Sequence, residues 1–202
     1  MEIKEILLAT NNPGKVVEMK SIMADLGIDV YSLKDKGISI DVEEDGNTFE
    51  ENAIKKAAEI AKVANMITVS DDSGLEVYAL DLRPGIYSAR YAGEGATSEM
   101  LCKKLLSEMD NVSEDKRGAR FVSVVAIVYP DGETFTIRGE CEGEIIREMR
   151  GDGGFGYDPV FYIAEKGQTF SEMSLDEKNK ISHRAKAFSG LKEHLKQRMN
   201  TL

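Results

Sequence analysis

A chain of 202 residues, 42% hydrophobic and 31% charged, carries enough apolar material to bury a sizeable core and has no long polar tract. A net charge of -10 argues against a surface made for duplex nucleic acid, but a local group of lysines and arginines, or a metal, still admits a small anionic ligand. Cys102 and Cys141 form no CxxC pair, which speaks against a disulfide framework or a zinc site. No apolar run approaches membrane-spanning length and Met1-Glu2-Ile3-Lys4 does not begin a signal peptide, so a cytoplasmic protein without membrane or nucleic-acid partners is expected.

In chain order, Glu5 to Thr10 predicts a strand buried on both faces. It runs into the turn-rich Asn11-Asn12-Pro13-Gly14-Lys15 and then a helix with Val16, Met19, Ile22, Met23 and Leu26 at helical spacing. The backbone N-H groups of a helix start favour phosphate, and Lys15 adds a point charge, although the loop is not a Walker A sequence. Gly27 ends the helix and Ile28 to Ser32 predicts a second strand. The acids Glu43-Glu44-Asp45 precede Gly46, and Thr48 with Glu51 predicts a capping box. The helix that follows puts Phe49, Ala53, Ile54, Ala57, Ile60, Ala61 and Ala64 on its inner face, with Lys55 and Lys56 towards the other side.

Met66 to Val69 predicts a strand that delivers Asp71 and Asp72 at its carboxyl end and stops at a turn containing Gly74. Two neighbouring acids repel unless a cation lies between them. Glu43, Glu44 and Asp72 are therefore candidate oxygen ligands for Mg²⁺; capping of a local turn by Asp71 is the alternative reading. Thr97 or Ser98 predicts the cap of a helix through Met100, Leu101, Leu105 and Met109 with a structural role. A hairpin follows, from Phe121 to Tyr129 and Thr134 to Ile137, then a separate strand over Glu144-Ile145-Ile146. In Gly151 to Pro159 the density of glycine marks close approach of backbone to something; Phe155 and Tyr157 can offer a face to a planar base and Asp158 an acceptor for a ring N-H. A closing helix carries Ala185, Phe188, Leu191 and Leu195 on its inner stripe, with Lys178, His183 and Arg184 just before or at its start.

Six ordered stretches together resemble the inosine/xanthosine triphosphate pyrophosphatase family: Thr10 to Lys15; Glu43-Glu44 with Gly46, Thr48-Phe49 and Glu51-Asn52-Ala53; Asp71 to Leu75; Pro84 to Arg90; Gly153 to Pro159; and Ser182-His183-Arg184. The resemblance implies an elongated, two-lobed α/β fold over residues 1–202, with a central mixed β-sheet flanked by helices, a cleft between the lobes and a homodimeric state. It implies that Thr10, Asn11, Asn12, Pro13, Gly14 and Lys15 hold a triphosphate and that Glu43 and Asp72 bind magnesium. Asp72 would be the proton acceptor and Lys56 the helix lysine reaching phosphate. Ser73, Phe155, Gly156, Tyr157, Asp158, Lys178, His183 and Arg184 would contact the substrate. The implied reaction is Mg²⁺-dependent hydrolysis of ITP, dITP and XTP to the monophosphate and pyrophosphate. A related pyrophosphatase of the Maf type is a rival that Ser182-His183-Arg184 argues against; a nucleotide sensor is another, disfavoured by acids facing a polyanion.

Overall fold

The computed structural model describes residues 3–200; Met1 and Glu2, on which the reading of the amino terminus rests, lie outside them. Among the described residues seven strands, β1 (Glu5–Leu8), β2 (Asp29–Ser32), β3 (Thr68–Val77), β4 (Gly118–Val128), β5 (Thr134–Ile145), β6 (Phe161–Ile163) and β7 (Gln168–Thr169), are hydrogen-bonded in the order β2-β1-β3-β4-β5-β6-β7, with parallel β1–β2 and β1–β3 pairs and antiparallel β5–β6 and β6–β7 pairs. The sheet is mixed and helices flank it, as the sequence leads one to expect. The chain divides into two compact units, the first holding residues up to Asp72, Ser123–Gly139 and those from Arg184 on, the second Ser73–Val122 and Glu140–His183.

In the first unit, β1 (Glu5–Leu8) is followed by α1 (Pro13–Met23), β2 (Asp29–Ser32) and α2 (Phe49–Ala64). The alternation of β1 explains its apolar run. Ile6 and Leu8 join a core with Met19 and Met23 of α1, Val69, and Phe188, Leu191 and Leu195 of α5 (His183–Asn200), while Leu7 joins a second one with Leu33, Val42 and Ile60. Gly27, at φ +66°, closes the turn after α1 as its sequence position suggests.

Three expectations are corrected here. At Thr48 only half of the capping box forms: its hydroxyl accepts from Glu51 N, whereas the Glu51 carboxylate turns to Asn47 N at 2.7 Å. Ile54 is exposed, because Asn52 and Ala53 occupy the inward position of that turn. The strand bearing the paired acids does not stop at Gly74: β3 runs from Thr68 to Val77. Its pairing with β1, however, ends at Leu8↔Val69, so the acids stand just past the carboxyl end of β1.

The second unit holds α3 (Ser98–Glu108), the remaining parts of β4 (Gly118–Val128) and β5 (Thr134–Ile145), β6 (Phe161–Ile163), β7 (Gln168–Thr169) and α4 (Leu175–Ile181). Its core gathers Leu75, Leu101, Leu105, Phe121, Tyr157, Phe161 and Phe170. Met100 is half exposed, since it points away from the Leu101–Leu105 stripe. The expected separate strand at Glu144 is the far end of β5. Gly143 lets that strand pass Phe161, whose ring a β-carbon would meet at 2.6 Å. Ser88 ties three segments: its hydroxyl accepts from Leu75 N (2.8 Å) and donates to Gly85 O (2.6 Å), and its carbonyl accepts from the Tyr157 hydroxyl (2.9 Å). No helix among the described residues is long and apolar enough to cross a membrane.

Candidate active site

In the first unit the loop after β1 is organised by its own side chains. Thr10 Oγ1 accepts from Asn12 N, and Asn12 Oδ1 accepts from Gly14 N (2.9 Å) and Lys15 N (3.4 Å), capping α1 with Pro13 in its first turn. Asn11 and Pro13 are exposed, while Thr10, Gly14 and Lys15 are partly buried. The ammonium of Lys15 lies 2.9 Å from Asp71 Oδ2. One turn on, Glu18 is buried and accepts from Arg184 Nη1 at 2.6 Å, while Arg184 Nε reaches Asp71 Oδ2 at 3.3 Å. Two cations thus converge on Asp71. Burial pushes its pKa up, but Lys15, Arg184 and Lys56 outweigh this and hold it at about 2. Its other oxygen, Oδ1, is buried without a hydrogen-bond partner.

Asp72 sits in the opposite field. Burial and the neighbouring charge of Glu44 raise its pKa to about 6, against the pull of Asn52, Lys56 and Lys15. Asn52 Nδ2 donates to Asp72 Oδ2 at 3.0 Å and Asn52 Oδ1 accepts from Gly46 N at 2.8 Å, so one amide links α2, the acidic loop and the acid. Gly46 is required there, because a β-carbon would lie 2.7 Å from Asn52 Oδ1. Lys56 pairs with Glu44; burial disfavours its charge, but Glu44, Asp71 and Asp72 raise its pKa above the ordinary lysine value. Lys15, more deeply desolvated, has a lowered pKa despite Asp71.

Of the two glutamates, Glu44 is the one whose charge bears on Asp72; Glu43 is exposed and its charge is felt at Lys55 instead. Among the described residues no three His, Cys, Asp or Glu side chains gather closely enough to hold a metal ion by themselves. The donors present still suit magnesium, which keeps several waters and takes only one or two carboxylates plus substrate phosphates. Asp72 and Glu44, two carboxylates whose like charges oppose each other, are what a hard cation would relieve.

In the second unit the glycine-rich loop turns on Asp158. Its Oδ2 accepts from Phe155 N (2.9 Å) and from Lys178 Nζ (2.7 Å), and Gly154 is needed because a β-carbon there would fall 2.1 Å from that oxygen. The Lys178 ammonium stands 5.0 Å from the Phe155 ring centroid and 5.4 Å from that of Phe170. His183 is buried and stacked on Phe121, with centroids 4.7 Å apart at 12°. Ser73, Phe155 and Gly156 are partly exposed. Tyr157 is not an open face as expected: its ring belongs to the core and its hydroxyl is spent on Ser88 O. Arg184, also expected at substrate, is 3% exposed and braces Asp71 and Glu18.

The Ham1 family model matches residues 6–194. The chain belongs to the Ham1 family. A dITP/XTP pyrophosphatase from Bacillus subtilis is 48% identical over 96% of this chain and 98% of its own. Among solved structures, the Staphylococcus aureus Ham1 protein shares 44% identity at a TM-score of 0.87, and a HAM1 protein from Coxiella burnetii 39% at 0.89. Both alignments cover 96% of this chain and all of the other. The family resemblance read from the six motifs is therefore the one found. Reading motifs one by one missed Glu18 and Asn52 as working parts of this Ham1 chain, though each carries a signal. Glu18 is an acid beside the apolar stripe of α1, and Asn52 is an amide within that of α2.

Proposed function

We propose that this protein hydrolyses dITP, XTP and ITP to the nucleoside monophosphate and pyrophosphate with magnesium as cofactor, acting as a cytoplasmic homodimer on free nucleotides. What carries the reading is Asp72: a buried acid with a pKa near 6, set among Glu44, Lys56 and Lys15, in a Ham1-family chain whose relatives are named dITP/XTP pyrophosphatase. In the metal-free protein, burial and Glu44 raise this carboxylate to about 6, so it is the acid of the cluster that most readily takes a proton near physiological pH. The homodimer is carried over from the family resemblance.

Water attacks the α-phosphorus, its proton passes to Asp72, the bond from the α-phosphorus to the bridging oxygen breaks, and pyrophosphate leaves. Asn52 holds the Asp72 carboxylate in place through its Oδ2. Lys15 and Lys56 set positive charge against the triphosphate, and Asp71, braced by Arg184, keeps Lys15 in place. Glu44 and Asp72, with Glu43 on the same loop, would hold magnesium, which neutralises phosphate oxygens and lowers the pKa of water when bound. In the second unit, Phe155 offers a partly exposed ring to the purine, with Lys178 and Asp158 at the same loop; His183, stacked on Phe121, is assigned to the substrate by the family resemblance. Hypoxanthine and xanthine present a 6-carbonyl and an N1-H where adenine presents an amino group and a bare nitrogen. A site matched to the first pattern leaves buried groups unpaired with adenine, worth roughly 10⁴-fold in discrimination.

The test is pyrophosphate release from dITP, XTP, ITP, GTP and ATP, each with magnesium and with chelator. Metal-dependent pyrophosphate from the first three alone is the expected result. Orthophosphate as product, or equal turnover of ITP and ATP, would sink the reading.

A further inference from the structure

Helix α3 reads from sequence as a purely structural element, yet its first turn and a half grips the glycine-rich loop at one residue. Gly156 N donates to Ser98 Oγ at 2.8 Å, and Cys102 Sγ, one turn further along, donates to Gly156 O at 3.4 Å. Both backbone polar groups of Gly156 are thus bound by side chains of one helix face, four residues apart. Gly156 has φ +63°, a conformation that costs other residues strain, and a β-carbon there would meet nothing within 4 Å; the glycine is present for its backbone angle.

The peptide that Ser98 holds is the one leaving Phe155. Its N-H goes to Ser98, and its carbonyl, that of Phe155, accepts from Asp158 N at 3.3 Å. The preceding peptide is held through Phe155 N on Asp158 Oδ2. With the peptides on both sides fixed, the Cα–Cβ direction from which the Phe155 ring extends is set. Three of these bonds involve side chains, and two of those side chains, Ser98 and Cys102, come from α3.

We propose that Ser98, assisted by Cys102, is a positioning residue that aims the Phe155 ring and thereby sets affinity and selectivity for the base; this rests on the reading above that Phe155 receives the purine. Ser98 is well suited to a clean test because it does not cap the helix. Thr97 does, accepting from Met100 N. Loss of the Ser98 hydroxyl therefore removes the loop contact while leaving the cap of α3 in place.

The experiment compares the intact protein with its Ser98→Ala, Ser98→Thr, Cys102→Ala and Thr97→Ala variants. Inhibition constants are measured for dIMP, which carries the base, and for pyrophosphate, which does not. Ser98→Ala should weaken dIMP about tenfold and narrow the preference for dITP over dGTP, with pyrophosphate inhibition and kcat within about twofold. Ser98→Thr, which keeps the hydroxyl, should restore dIMP, and Cys102→Ala should weaken it only about two- to threefold, the thiol being a weak donor. Thr97→Ala should lower the melting temperature and leave dIMP unchanged. Equal loss of dIMP and pyrophosphate in Ser98→Ala, the same dIMP loss in Thr97→Ala, or no change in Ser98→Ala overturns the proposal. A wild-type protein that releases no pyrophosphate from dITP and binds no dIMP overturns the underlying reading instead.

Discussion

The acidic centre of the first unit and the glycine-rich loop of the second are held by different means. Around Asp71 and Asp72 the chain buries charges on strands and helices and balances them against one another: Lys15 and Arg184 on one acid, Glu44 and Asn52 beside its neighbour. Around Phe155 the backbone itself is fixed, residue by residue, by Asp158, Ser98, Cys102 and Ser88. Chemistry that needs a set pKa sits on rigid elements with long-range electrostatics, whereas the loop that would meet a planar base is shaped by short hydrogen bonds. Damage to the first should change rate and charge-dependent stability; damage to the second should change selectivity.

The sharpest way to separate them is Asp72→Asn. Turnover should fall by about 10³-fold or more, with the affinity for dIMP little changed, as steady-state and inhibition kinetics would read. Turnover within tenfold of wild type would remove Asp72 from the base role. Next is Lys15→Met, which strips one of the two cations from a fully buried Asp71. Denaturant unfolding should show a loss of about 3 kcal/mol, and kcat/KM should drop alike for every triphosphate, since the lysine carries no information about the base.

The two adjacent acids also carry opposite linkage to pH. Asp72, raised to about 6, is a destabilising charge above that pH, and protonating it between pH 6 and its unfolded value of 3.8 stabilises the fold by about 3 kcal/mol. Asp71, held at about 2, stabilises the fold above 3.8 and loses that contribution as pH falls through 2. Metal-free protein should therefore gain stability from this pair as pH falls from about 8 towards 4, then lose it below. Asp72→Asn should abolish the rise and be the more stable protein at about pH 8, and saturating magnesium should flatten it in the wild type. The smallest effect belongs to the loop. Tyr157→Phe leaves the Ser88 carbonyl without its buried donor and should cost about 1–2 kcal/mol with the rate on dITP kept; a loss of turnover as large as that of Asp72→Asn would erase the distinction between the two regions.

Much of this was legible before the fold was known, and for identifiable reasons. The two-sided burial of β1 follows from an apolar run with no polar alternation, and Gly27, Thr97 and the Asn12–Lys15 helix start follow from local capping chemistry. That Asp72 and Lys56 carry charge within ordered motifs was readable too, though not the Asn52 contact or the Glu44 pair that surround them. What was hidden depends on partners far along the chain. Nothing near Gly74 says that β3 continues, since an extended glycine looks like a turn glycine until its neighbours are known. Tyr157 looked like an exposed aromatic because its acceptor, Ser88, is 69 residues away. That Arg184 also braces buried acids was hidden because Glu18 lies 166 residues before it. The choice between Glu43 and Glu44 turns on which one the loop tucks towards α2, and adjacent identical residues carry no periodic signal that decides it.

Ser88 joins the amide of Leu75, the carbonyl of Gly85 and the hydroxyl of Tyr157. A residue with bonds to three segments couples their openings, so that strand, turn and glycine-rich loop exchange their protection as one cooperative unit rather than fraying separately. The Leu75 amide is then a reporter for a loop that meets it through Tyr157, far later in the chain. In hydrogen-exchange terms it should open in step with the amides of Phe155 and Gly156, and a ligand that quiets the loop should slow deuterium uptake at Leu75 without touching it.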